Sequence, residues 1–210
     1  MVKVRKGVFY MQDNGAARLK KFYKWGLPVY KVANKKMRSD YRKAMPLLLK
    51  QIEISNNTTV LDVGTGTGGL AGILLEYTSH ITGIDFSPEM LNEARINYGH
   101  KINFMNLAAH EITQFRTASF DVVSAAFCLH DMNDEYRLNV LQQMRRVARE
   151  KVIIIELPKK INPITRFVEY LEGSFYKDFA NSFENQLTSV FPKFDKIAFS
   201  ITMVIYICDV

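Results

Sequence analysis

The stretch VLDVGTGTGGLAGILL, residues 60–75, holds five glycines, Gly64, Gly66, Gly68, Gly69 and Gly72, directly after an apolar run. Glycine at that density clears side chains from a turn so that a ligand can approach the backbone. A turn of this kind between a strand and a helix serves phosphates, dinucleotides and nucleoside sulfonium compounds alike. Two carboxylates accompany it. Asp62 precedes the turn, where it can attract a ligand's ammonium group. Asp85 lies about twenty residues beyond, the spacing at which a carboxylate meets a ribose diol. Gly64, Gly66 and Gly69 satisfy GxGxxG, so a dinucleotide fold is an open alternative, although such a fold has no special need for Asp62. His130, in AFCLHDM, is one of four histidines and adds a group that titrates near neutral pH.

The elements that must position these residues alternate. Apolar runs bounded by turn residues predict strands at Thr59 to Val63, Ile81 to Asp85, Ile102 to Met105, Phe120 to Phe127 and Lys151 to Leu157. Between them, Gly68 to Tyr77, Pro88 to Tyr98 and Asp134 to Arg149 have helical patterns, the second opened by a Ser87 cap with Pro88 at the first position. Strand–helix alternation of this kind predicts an α/β fold, a mostly parallel sheet with helices on both faces. The last fifty residues predict two helices broken at Gly173 and a terminal strand pair able to join the sheet edge antiparallel.

At 210 residues and 48% hydrophobic, the chain suits one well-packed domain. It lacks an uncharged apolar run of about 18 residues and a signal-type leader, which predicts a cytoplasmic protein. Cys128 and Cys208 stand in no ligand spacing and are expected to be reduced and structural. Residues 1–50 hold 14 Lys and Arg against Asp13 and Asp40, and the remaining chain holds 14 against 19 acids, so the net +7 divides into +12 and −5. Apolar residues recur at helical spacing within this basic arm. It therefore reads as a cap or lid, 1–50, on a domain spanning 51–210, either as a solvated face or as a surface for anionic membrane.

VLDVGTGTGG resembles motif I of the class I S-adenosylmethionine-dependent methyltransferases. GIDFSPEML, Gly83 to Leu91, resembles the end of their second strand, and SFDVVSAAFCLHDM, Ser119 to Met132, their fourth strand and its loop. The likeness runs in order from Val60 to Pro158 and is nearest the small-molecule branch that includes ubiquinone and menaquinone methyltransferases. It implies a Rossmann-like three-layer fold of strand order 3-2-1-4-5-7-6 with the last strand antiparallel. It also implies S-adenosylmethionine as cofactor, S-adenosylhomocysteine as product, and a small aromatic or isoprenoid-like acceptor. The Asn-Pro-Pro-Tyr type of sequence that marks nucleobase methylation is replaced by SAAFCLHD, so a nucleic-acid methyltransferase is an alternative supported only by the basic arm, beside a protein that binds the cofactor without transferring its methyl group. Oligomeric state is not legible.

The resemblance also implies roles. Gly64, Thr65, Gly66 and Gly68 would pass under the methionine portion of the cofactor, with Asp62 on its ammonium, directly or through water. Asp85 would hold the ribose, Phe86 and Met90 would sandwich adenine, and the backbone near Ala126 would hold the amino-acid end. The family's usual Asp for the adenine amino group is replaced by Ala108; the Ala109 amide, Asn106 or His110 would compensate. His130 stands where the acceptor enters, as a candidate base or as a loop residue only. Aromatic residues, Tyr23 and Tyr30 in the arm and Tyr176 in the late insertion, would enclose a flat acceptor.

Overall fold

The computed structural model describes residues 35–172 and 174–210. A helix over residues 35–48, α1, buries Tyr41, Ala44, Met45 and Leu48 at the i, i+3, i+4, i+7 spacing of a single stripe and leaves Lys35, Lys36 and Lys43 exposed. The other elements follow in the order β1 Val60–Val63, α2 Gly69–Leu74, β2 Ile81–Asp85, α3 Pro88–Tyr98, β3 Asn103–Asn106, β4 Phe120–Ala126, α4 Asp134–Val147 and β5 Ala148–Glu156. Then come α5 Pro163–Glu172, α6 Tyr176–Val190, β6 Phe194–Ser200 and β7 Met203–Asp209. The seven strands form one sheet in the order 3-2-1-4-5-7-6. β1 to β5 pair in parallel, and β7 lies antiparallel between β5 and β6. The expected architecture is therefore the observed one.

Both faces of this sheet are covered, which is why its inner strands are apolar runs without alternation. Leu61, Val63, Val123, Val152 and Ile154 point into one core with α4 and α6. Val60, Val122, Ile153 and Ile155 point into the other with α1, α2 and α3. Neighbouring residues of one strand thus stabilise opposite layers, each fully buried Val, Leu or Ile contributing about 1.5–3 kcal/mol.

Element ends depart from expectation where the tertiary structure claims the chain. α4 was expected to reach Arg149 but stops at Val147, and Ala148 opens β5 opposite Phe120. The amides of Ala118 and Ser119 capture the carbonyls of Arg146 and Val147, so the approach to β4 draws these residues out of the helix. α2 ends at Leu74 and not at Tyr77, since the amides of Glu76 and Tyr77 turn back onto Ile73 and Leu74. β3 lies one residue further along than predicted. Ser87 caps α3 as expected, its hydroxyl accepting from the Met90 amide at 3.3 Å.

One glycine of α2 has a packing reason. A Cβ at Gly72 would fall on the ring of Tyr98 from α3, and one at Gly68 would stand 2.8 Å from the same ring. That close approach lets the short α2 lie against α3. Gly72→Ala is accordingly expected to destabilise the fold by about 1–3 kcal/mol, the range for overpacking. This outweighs the roughly 1 kcal/mol that alanine gains over glycine inside a helix. Urea denaturation of Gly72→Ala with and without Tyr98→Ala would check it. A single variant as stable as the wild type would show that the contact constrains nothing.

Candidate cofactor and acceptor site

The glycine turn connects β1 to α2 at the carboxyl ends of the parallel strands, the place where open α/β sheets receive ligands. Gly64, Gly66 and Gly68 have φ of 65°, 54° and 79°, the left-handed region that glycine enters at no steric cost. Gly64 is confined as well, since a Cβ there would come within 2.8 Å of Cys128. Gly66 is the opposite case: a Cβ would meet nothing within 4 Å among the described residues, which leaves room beside the backbone there.

Two buried carboxylates hold the turn. Asp62, 1% exposed, accepts from the Ser124 hydroxyl at 2.6 Å and the Thr65 hydroxyl at 2.7 Å. Burial pushes its pKa up to about 6 against the pull of those two hydroxyls. Asp85 accepts from the Ser87 amide at 2.8 Å and the Gly66 amide at 2.9 Å, and burial raises its pKa despite both donors. Thr65 lies against β2, its amide donating to the Ile84 carbonyl at 2.9 Å. The structure thus brings Asp62, Gly64, Thr65, Gly66, Gly68 and Asp85 together at one turn, with hydrogen bonds from Thr65 to Asp62, Gly66 to Asp85 and Gly68 to Thr65.

The residues assigned to adenine lie around the ends of β2 and β3. Phe86 is half-buried, Met90 is buried on α3, and Ala109 begins a short 3-10 helix. Of the two compensating side chains expected, Asn106 is tied to the Asp85 carbonyl at 2.9 Å. The His110 ring instead meets the Tyr136 hydroxyl at 3.1 Å, on the α4 side.

At the end of β4, Ala126 is half-buried and is followed by Phe127 at φ 50°, so the chain turns sharply into a 3-10 turn at Leu129–Asp131. Glu156, fully buried at the end of β5, organises that turn. One of its oxygens accepts from the Cys128 and Leu129 amides at 3.0 and 2.7 Å, and the other stands 2.6 Å from His130 Nδ1. His130 Nε2 faces Glu169 at 3.5 Å and Asp131 at 3.8 Å. Burial alone would discharge this ring, but Glu156, then Asp131 and Glu169, outweigh it and hold its pKa well above the ordinary imidazole value. These surroundings favour the cationic ring, which donates hydrogen bonds, whereas the candidate base read at His130 would act from the neutral ring. Asp131 is pushed up to about 6, chiefly by burial.

Tyr176 is half-buried at the start of α6, its hydroxyl donating to the Pro158 carbonyl at 2.6 Å. Tyr23 and Tyr30 lie outside the described residues, as does most of the basic arm. The sequence reading missed Glu156, Asp131 and Glu169. The first had a signal, a carboxylate closing the apolar run of residues 152–155 just as Asp85 closes β2.

Residues 60–151 match the family model of a methyltransferase domain. The demethylmenaquinone methyltransferase of Thermotoga maritima is 35% identical over 127 residues, 58% of this chain and 52% of that protein. The ubiquinone/menaquinone biosynthesis C-methyltransferase of Geotalea daltonii is 36% identical over 118 residues, 51% of this chain and 49% of that protein. The chain thus spans about half the length of these curated relatives. Among solved structures, DhpI in its SAH complex superposes with a TM-score of 0.69 at 18% identity, covering 91% of this chain and 95% of that one. The mitomycin 7-O-methyltransferase MmcR superposes at 0.64 and 14% identity, covering 91% and 60%. These matches fall on the methyltransferase side of the alternative that GxGxxG left open. Residues 60–151 thus resemble a methyltransferase domain, and the sheet that carries them has the fold of these solved methyltransferase structures.

Proposed function

We propose that the protein transfers the methyl group of S-adenosylmethionine to a small, aromatic or quinone-like acceptor. The observation that carries this reading is the family match over 60–151, joined to a glycine turn whose amide and carboxylate partners fit that cofactor. The room beside Gly66 is where a ligand backbone fits without collision with the described residues. Asp85 borders the same turn, and each of its oxygens accepts one amide and keeps a lone pair for a ribose hydroxyl. Asp62 lies beneath the turn with both oxygens on hydroxyls, so it acts on an ammonium through Thr65, through water or by its field. Phe86 offers a flat apolar surface for adenine.

When bound, the cofactor supplies an activated methyl group, and the protein's part is orientation and exclusion of water. The Glu156–His130 pair fixes the turn after β4, beside which the acceptor approaches in this reading. No helix among the described residues is long and apolar enough to cross a membrane. Access to a lipid-soluble quinone would therefore fall to the basic arm, whose membrane docking is part of this proposal.

Asp85→Ala is expected to weaken S-adenosylhomocysteine binding by about 1.5–3 kcal/mol, the range for hydrogen bonds to a charged group. Calorimetry on the folded variant would check it, and unchanged affinity would remove Asp85 from the site. Activity is tested by supplying labelled methyl donor with phenolic and quinol acceptors. Binding of NAD in preference to S-adenosylhomocysteine would overturn the proposal.

A further inference from the structure

We propose that His130, Asp131 and Glu169 form a binding site for one divalent first-row transition-metal ion. His130 Nε2 and one carboxylate oxygen from each of the other two residues lie within 4.8 Å of one another. Ligands bound about 2.0–2.2 Å from a common ion stand roughly 3–3.6 Å apart at tetrahedral or octahedral angles. The 3.5 Å separation of Nε2 from Glu169 lies in that range and the 3.8 Å separation from Asp131 lies just outside it, while the two carboxylates, within 4.8 Å of each other, would draw together around the ion.

Two further observations point to a ligand in this position. Among the described residues, Asp131 Oδ1 is a buried oxygen with no hydrogen-bond partner, and it stands 3.8 Å from His130 Nε2. A buried acceptor left unmade is costly, and an ion would satisfy it. His130, 4% exposed, also has the outer support that metal-bound histidines require. Its Nδ1 meets Glu156 at 2.6 Å, and the Cys128, Leu129 and Leu157 amides hold Glu156 in turn. A carboxylate behind the far ring nitrogen keeps the proton on Nδ1, so that binding of the ion displaces the Nε2 proton of the imidazolium and the freed lone pair faces the metal.

Charge and donor type agree. Three carboxylates, Glu156, Asp131 and Glu169, surround one imidazole, so the cluster carries an anionic excess that a divalent cation would neutralise. The nearby Arg137 guanidinium is engaged by Asp134, Gln186 and the Met132 carbonyl. One imidazole nitrogen with carboxylate oxygens suits Mn(II), Fe(II) or Zn(II) better than Ca(II). Glu169 comes from α5 and also accepts from Ser174 at 2.7 Å, so the ion would fasten the segment after β5 to the turn after β4. In the methyl-transfer reading, on which this role rests, the ion would hold an acceptor oxygen; the site itself does not depend on that reading.

The test is electron paramagnetic resonance of the full chain titrated with Mn(II). One tight site per chain is expected, with nitrogen hyperfine coupling from an imidazole ligand. Asp131→Asn and Glu169→Gln should each weaken it at least tenfold while S-adenosylhomocysteine affinity, read by calorimetry, stays within a factor of two. A Mn(II) spectrum without nitrogen coupling overturns the assignment using the wild-type protein alone. Mn(II) affinity unchanged from the wild type in both variants overturns it too. Loss of S-adenosylhomocysteine binding by the wild type would instead strike the methyl-transfer reading and leave the ion site standing.

Discussion

Glu156→Ala is expected to lower the unfolding free energy by about 3–5 kcal/mol, the range for removing one partner of a buried charge pair. The carboxylate is fully buried at the end of β5 and accepts from the Cys128 and Leu129 amides as well as from the His130 ring. Its removal would strand these two backbone donors and that of Leu157, and leave His130 charged, with Asp131 and Glu169 at longer range. Glu156→Gln keeps an acceptor for both amides and is expected to lose less. In that variant the His130 pKa should fall, because the largest of the three carboxylate influences on it has gone. Guanidinium denaturation and imidazole NMR titration would check both. An Ala variant with the wild-type midpoint would mean that the turn after β4 is held by other contacts.

The second large effect is a dependence on pH. The Asp62 carboxyl, at about 6 in the fold against 3.8 in the open chain, holds a proton between roughly pH 4 and 6 that the unfolded chain has lost. The folded state then binds more protons than the unfolded one, so stability falls as pH rises through this window. At 1.36 kcal/mol per unit, the shift of about two units corresponds to about 3 kcal/mol. Asp62→Asn has no such proton to lose. Relative to the wild type it should gain stability by about that amount between pH 4 and pH 7. The wild type keeps a slope of the same sign from Asp131, also near 6. Parallel unfolding curves for variant and wild type across pH 4–7 would show that Asp62 is not raised in the fold.

The sequence made the first half of the sheet legible because local and global preferences coincide there. β2 and α3 have their expected bounds, fixed by the change from a β-branched run to Ser87-Pro88. The end of α4 was illegible since Ala148 and Arg149 are good helix formers, and only the pairing with Phe120 draws them into β5. The position of His130 was readable, but its charge was not. That charge depends on Glu156, 26 residues away on another strand, and on Glu169 from a helix further along. The cluster His130, Asp131 and Glu169 exists only once β4, β5 and α5 have met.

The order of strands has a consequence for synthesis. β5 finds one neighbour, β4, already made when it emerges, but its other edge stays bare until Ile207 arrives to pair with Ile153. Through the translation of α5, α6 and β6, the run Val152 to Ile155 presents unpaired amides and carbonyls on an apolar strand. A nascent chain halted in that interval would be the form of this protein most prone to pair with another copy. Synonymous codon changes that slow the ribosome between Pro163 and Phe194 should therefore lower soluble yield more than equal delays before Val60.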